Sequence, residues 1–237
     1  FGPNSVEIED TYLRLDRDLA ELLEFLDKYI GKENVLVFLS ADHGAAHVPS
    51  YLNDLRIPAG TVAPAVMRDS VNSYLNRKYG KANWVMNFIN EQVYLNRALI
   101  EQKQVNLSTI QDEVATYLLR MPGVAKTITA ETLQKSHWSS GIFHYIQNGW
   151  HPQRSGDVMV VLQPGWFDGY GKVTGTTHGS PYSYDTHVPL LFYGWQVKQG
   201  ESAYRASITD IAPTLAYWLS IMEPNGCMGN PLQEHMK

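Results

Sequence analysis

The chain has a single cysteine, Cys227, in 237 residues. This excludes an internal disulfide and any zinc site built on thiolates, and it suits a cytoplasmic or an exported protein equally. There is no excess of basic residues: 19 Lys and Arg stand against 24 Asp and Glu, a net charge of −5. The electrostatic footprint of a nucleic-acid or acidic-membrane binder is therefore missing, and neither partner is expected. No apolar run reaches the roughly 18 residues of a membrane-spanning helix. Repeats and low-complexity tracts are absent as well. The chain opens without an initiator Met or a signal-peptide pattern. Phe1-Gly2-Pro3-Asn4 reads instead as a loop feeding a helix, as expected of one part of a longer gene product.

What is present suits a globular protein. Hydrophobic residues make up 44% and charged residues 18%, the usual balance for a packed core with a solvated surface. The length allows one large domain or two small ones. The 14 Tyr and 6 Trp, weighted toward the second half, suit the walls of a polar cleft.

Residues 5–30 carry the clearest helical pattern. Ser5 is placed to cap, Glu7, Glu9 and Asp10 load the first turn with negative charge, and Gly31 follows as a stop. Tyr12, Leu15, Leu19, Leu22, Leu26 and Ile30 recur at three- and four-residue steps, giving one apolar face. Val35–Leu39 is a continuous apolar run, the pattern of a parallel strand covered by helices on both faces. Helices are predicted over 66–79, 107–120, 130–135 and 209–220. Strands are predicted near 84–95, at Val158–Leu162 and over 188–194, where Pro189 suits the strand's start. The predicted class is α/β with a mostly parallel sheet flanked by helices. It divides into a core helix and strand (1–44), a mixed α+β insertion (45–156), and core strands with a polar loop and final helix (157–237).

Two segments can carry chemistry. Asp42-His43-Gly44 follows the first strand, where ligands of such sheets gather. Its carboxylate and imidazole can serve one divalent cation if the chain turns at Gly44; the bland alternative is a hydrogen-bonded histidine. The loop Gly175–His187 packs His178, Asp185 and His187 among hydroxyl groups. Either of its histidines has the chemistry of a ligand, and spacing does not choose between them. His47 lies four residues after His43, but Gly44 and Pro49 argue against the regular helix that a His-x-x-x-His pair needs. His137, His144, His151 and His235 read as surface or hydrogen-bonded histidines.

Leu39-Ser40-Ala41-Asp42-His43-Gly44, Thr177-His178-Gly179-Ser180 with Tyr184–Leu190, and Ser207–Leu215 follow one another in an order that resembles the alkaline phosphatase superfamily. The likeness is to the branch of type I phosphodiesterases, nucleotide pyrophosphatases and phosphate-irrepressible bacterial alkaline phosphatases. His43, where many sulfatases carry Asn, points toward zinc. The resemblance implies two zinc ions, with Asp42 and His43 on the one that activates the nucleophile and His178 on the other. His187, His47 and Asp185 would be their neighbours. Manganese or magnesium would accept the same ligands less selectively.

The resemblance also implies that the Thr or Ser nucleophile, and the rest of the ligand set, lie upstream of Phe1. No catalytic nucleophile is therefore expected within these residues. The chain would be the C-terminal part of a periplasmic or secreted phosphate monoester hydrolase, inactive by itself and dependent on a missing N-terminal segment. A phosphodiesterase, nucleotide pyrophosphatase or phosphonate hydrolase is the first alternative, and a non-catalytic module that keeps the fold is the second.

Overall fold

The computed structural model describes residues 1–169 and 175–233. In chain order its regular elements begin with helix α1 (Val6–Tyr29), strand β1 (Leu36–Ser40), helix α2 (Pro49–Asp54), strand β2 (Gly60–Val62) and helix α3 (Pro64–Tyr79). There follow strands β3 (Val85–Ile89) and β4 (Gln92–Leu95), helices α4 (Arg97–Gln102) and α5 (Leu107–Leu118), strand β5 (Val124–Thr129), and helices α6 (Ala130–Lys135) and α7 (Gly141–Gly149). The chain closes with β6 (Val158–Leu162), β7 (Trp166–Asp168), α8 (Ser183–Thr186), β8 (Leu190–Gly194) and α9 (Ile211–Trp218).

Two compact units emerge: residues 1–11 with 42–188, and residues 12–41 with 189–237. Compactness thus cuts the chain at other places than the expected segments 1–44, 45–156 and 157–237.

The larger unit is built on a four-stranded sheet in the order β3-β4-β6-β5, antiparallel throughout. Strand β6, Val158-Met159-Val160-Val161-Leu162, is buried along its whole length. Val158, Val160 and Leu162 meet Val71 and Leu75 of α3 and Ile110, Val114 and Leu118 of α5. Met159 packs on the other face with Ile128 and Leu133, backed by Phe143 and Trp150. A strand between two apolar layers has no side to leave polar, which is why its sequence does not alternate. The hairpin between β3 and β4 turns through Asn90 and Glu91, both at positive φ (49° and 53°), the geometry of the tight turns that follow the twist of paired strands. Strands β2 and β7 form a separate parallel pair.

The smaller unit holds most of α1, with β1, β8 and α9. Helix α1 starts where Ser5 Oγ accepts the Ile8 N–H, and it ends at Gly31 (φ 89°), whose N–H reaches the Leu26 carbonyl. Strand β1 pairs antiparallel with β8, from Leu36 opposite Gly194 to Ser40 opposite Leu190. This corrects the expectation of a covered parallel strand, since Phe38 and Leu39 are 45% and 37% exposed. The mostly parallel sheet is corrected with it: among the described residues only β2 and β7 run parallel. An apolar run records how much of a strand is meant to be buried and carries no information about its neighbour's direction.

Asp210 organises the approach to α9. Its carboxylate accepts the N–H groups of Ser207 (2.7 Å) and Asn230 (2.8 Å), while its carbonyl accepts the Thr214 hydroxyl.

Candidate metal centre

The turn after β1 and the loop before β8 are laced together within the larger unit. Gly44 N–H donates to the Asp185 carbonyl (2.7 Å), Ala45 N–H to that of Tyr184 (3.2 Å) and Ala46 N–H to that of Thr177 (2.9 Å). The Thr176 hydroxyl returns a bond to the Ala46 carbonyl. Gly44 is required here, because a Cβ would run into the Tyr184 carbonyl oxygen. Asp185, 3% exposed, accepts the Ser180 N–H on Oδ2 at 2.7 Å and so holds the loop's turn from inside. The Tyr182 phenol donates to the Leu162 carbonyl (2.8 Å) and ties the loop to β6. Burial, with Tyr184 beside it, raises its pKa and keeps it a proton donor.

This lacing sets Asp42, His43 and His178 side by side. The imidazoles of His43 and His178 stack with centroids 3.5 Å apart and planes 13° from parallel. His43 Nδ1 lies 2.7 Å from the Gly44 carbonyl, which can only accept; that fixes the proton on Nδ1 and leaves the Nε2 lone pair free. Nε2 stands 3.6 Å from Asp42 Oδ2. A carboxylate oxygen and an imidazole nitrogen therefore stand close together, with the His178 ring stacked on the same imidazole. The Asp42 and His43 side chains are 87% and 38% exposed, so an ion and its substrate could reach them.

These groups fit the expected metals. One carboxylate and two imidazoles form a borderline donor set of the kind that zinc takes. No cluster of three or more His, Cys, Asp or Glu poised around a single ion exists among the described residues.

The other expected neighbours make contacts of their own. His47 is turned to Asn4, Nδ1 to Oδ1 at 2.6 Å, and its ring lies 6.4 Å from that of Tyr184. His187 closes α8 through its N–H to the Ser183 carbonyl and is exposed. Asp185 is the buried anchor described above, close in the backbone to Gly44. His144 and His151 are hydrogen-bonded and His137 is exposed, while His235 lies outside the described residues.

Sequence reasoning missed a cavity of about 290 Å³ in the same unit, bordered by His178, Glu91, Trp150, Trp166 and Asp185. Asn90 between two alternating strand patterns was the available signal for the turn that carries Glu91. Burial first, and Asp168 second, push the Glu91 carboxyl up to about 7.

A family model described as type I phosphodiesterase / nucleotide pyrophosphatase matches residues 1–181. Among curated proteins, alkaline phosphatase PafA of Elizabethkingia meningoseptica is 42% identical over 99% of this chain and 42% of its own length. A protein of Myroides odoratus named calcium-transporting ATPase is 43% identical over 99% of the chain and 43% of its own. Alkaline phosphatase PhoV of Synechococcus elongatus is 38% identical over 100% and 42%. The crystal structure of wild-type PafA superposes on the whole chain with a TM-score of 0.91 at 41% identity, and 45% of that structure is covered. The chain thus spans less than half the length of the curated relatives it matches. Asp42, His43 and His178 all fall within the stretch matched by the family model, and the chain belongs to the type I phosphodiesterase / nucleotide pyrophosphatase family, within the alkaline phosphatase superfamily.

Proposed function

We propose that this chain is the C-terminal part of a zinc-dependent phosphate monoester hydrolase and supplies one wall of a two-metal site. The observation that carries this is the stacked His43–His178 pair, with Asp42 Oδ2 3.6 Å from His43 Nε2. Asp42 and His43 would hold one zinc and His178 the other. Bound there, two such ions would polarise a phosphoryl group and stabilise the attacking and leaving oxygens of an in-line displacement.

The chain's own residues supply orientation. The Gly44 carbonyl keeps His43 Nδ1 protonated and leaves Nε2 as the nitrogen that would bind a metal. The backbone bonds of Gly44, Ala45 and Ala46 hold the His178 loop against the Asp42 turn, so neither imidazole must be ordered when substrate arrives. Asp42 brings negative charge that offsets part of the cations' charge. The Thr or Ser nucleophile and the remaining ligands would come from the segment preceding Phe1, and residues 45–156 elaborate the surroundings of the site. Location in the periplasm or outside the cell follows the habit of the alkaline phosphatases that the chain resembles.

Support for the monoester reading comes from PafA and PhoV, both named alkaline phosphatases. The family description favours phosphodiester hydrolysis as the second reading. The test compares kcat/KM for p-nitrophenyl phosphate and bis-p-nitrophenyl phosphate, using the full-length polypeptide that carries this chain and the 237-residue chain itself. The full-length protein should prefer the monoester and the isolated chain should turn over neither. A preference for the diester would replace the first reading with the second. Turnover by the isolated chain would refute the requirement for an upstream nucleophile.

A further inference from the structure

Asp185 stands at the junction of the two segments that carry the candidate ligands. Its carboxylate serves one segment and its backbone serves the other. Oδ2 accepts the N–H of Ser180, two residues after His178, at 2.7 Å. The Asp185 carbonyl accepts the N–H of Gly44, one residue after His43, also at 2.7 Å. The neighbouring Tyr184 carbonyl takes the Ala45 N–H (3.2 Å). Both peptides around Gly44 are therefore held, including the one whose oxygen faces His43 Nδ1. Every one of these bonds joins two residues of the larger unit.

His178 is anchored on both sides. Before it, the Thr177 carbonyl accepts the Ala46 N–H (2.9 Å) and the Thr176 hydroxyl donates to the Ala46 carbonyl. After it comes Gly179, at φ 109° and with nothing within 4 Å of the place a Cβ would take. A glycine so placed swivels readily, and the Ser180–Asp185 bond restrains it. The Gly44 turn, by contrast, is held by backbone groups and does not need the carboxylate. Asp185 is 3% exposed, and its Oδ1 is buried without a hydrogen-bond partner among the described residues. A leftover acceptor in the interior costs stability, so the carboxylate is better explained by what it positions than by what it stabilises. We propose that Asp185 is a positioning residue: its carboxylate, acting through Ser180, sets the His178 imidazole for its metal ion and leaves the Asp42–His43 pair alone. The proposal rests on the two-metal reading above and assigns this side chain to one of the two ions.

The test is calorimetric zinc titration of the metal-free full-length protein, with hydrogen exchange as a readout that needs no metal. The unaltered protein should show two sites. Asp185→Ala should weaken one of them about 10- to 100-fold, the range for groups that orient metal ligands, and leave the other unchanged. Combined with His178→Ala it should add nothing; combined with His43→Ala it should weaken the site that remains. Asp185→Asn keeps an oxygen that can accept from Ser180, and should bind zinc as the unaltered protein does. In the metal-free proteins, Asp185→Ala should speed exchange at the Ser180 amide and spare those of Gly44, Ala45 and Ala46. Asp185→Leu, which fills the space without an acceptor, gives the same comparison if the alanine variant fails to fold. Unchanged zinc binding or unchanged Ser180 exchange in these variants would overturn the role. So would equal weakening of both sites, which marks a general structural effect, or an Asn variant as weak as the Ala one. Absence of zinc from the unaltered protein would instead overturn the metal reading on which the role rests.

Discussion

Two acids of the larger unit, one buried and one half-buried, show how differently the fold treats a carboxylate. Asp157, 2% exposed, accepts the Leu95 N–H (2.9 Å) on one oxygen, and Arg97 Nε (2.9 Å) and Gln111 Nε2 (3.2 Å) on the other. It joins β4, α4 and α5 at the start of β6. Asp157→Ala strands those donors and should cost about 2–4 kcal/mol in urea unfolding; a loss below about 1 kcal/mol would show that water replaces the carboxylate. Among the described residues Glu91 has no such partners, and partial burial favours its neutral form, with a pKa of about 7 against an ordinary 4.5. A raised folded-state pKa means that the folded protein binds the extra proton. Stability is therefore full below pH 4.5, is lost as pH rises toward about 7, and stays reduced above it. Glu91→Gln should raise the unfolding free energy by roughly 1–3 kcal/mol at alkaline pH, with the gain closing below the unfolded pKa. A pH-independent difference between the two proteins would contradict the burial of a charge.

At the scale of elements, the apolar runs Val35–Leu39 and Val158–Leu162 read alike in the sequence and meet different fates. The second is sandwiched between two apolar layers; the first has a single strand partner and two half-exposed side chains. Helix α1 follows the same lesson. Its capping serine, its apolar spacing and Gly31 made it legible, yet none of its 24 residues is buried. Local pattern records what an element needs to cover, and the cover itself is a long-range fact. The site divides on the same line. Asp42-His43-Gly44 and Thr177-His178-Gly179 are short motifs with distinctive chemistry, so both were visible. Glu91, Trp150 and Trp166 come together only through the hairpin and β6, and no local pattern announces that. Beta strands of three residues, such as β2 and β7, are too short to show a period. A two-stranded sheet is marginal without further cover. Hydrogen exchange on the isolated chain should therefore find the amides of α1, β1 and β8 poorly protected and those of β4, β5 and β6 the slowest. Equal protection in both groups would show that the smaller unit is better packed than its burial indicates.

Across the whole molecule, the smaller unit leaves large apolar side chains in water: Leu22, Phe25 and Tyr29 on α1, Phe38 and Leu39 on β1, Leu191 on β8, and Ile221 and Met222 after α9. Surfaces of that kind mark contact with another polypeptide segment or a liability to aggregate. PafA carries the same fold within a chain more than twice as long. The isolated chain should bind a hydrophobic dye such as ANS and self-associate as concentration rises. A monodisperse chain without dye binding would contradict the need for further cover.

The central claim, that this chain would contribute ligands to two metal ions through Asp42 and His43 on one and His178 on the other, is tested most directly by zinc content. The measurement is zinc per full-length polypeptide, by inductively coupled plasma mass spectrometry after exhaustive dialysis, in the unaltered protein and in His43→Ala and His178→Ala. The account requires about two zinc ions in the unaltered protein, with each substitution weakening retention at a different one of them. Both variants keeping the full complement of zinc would contradict it.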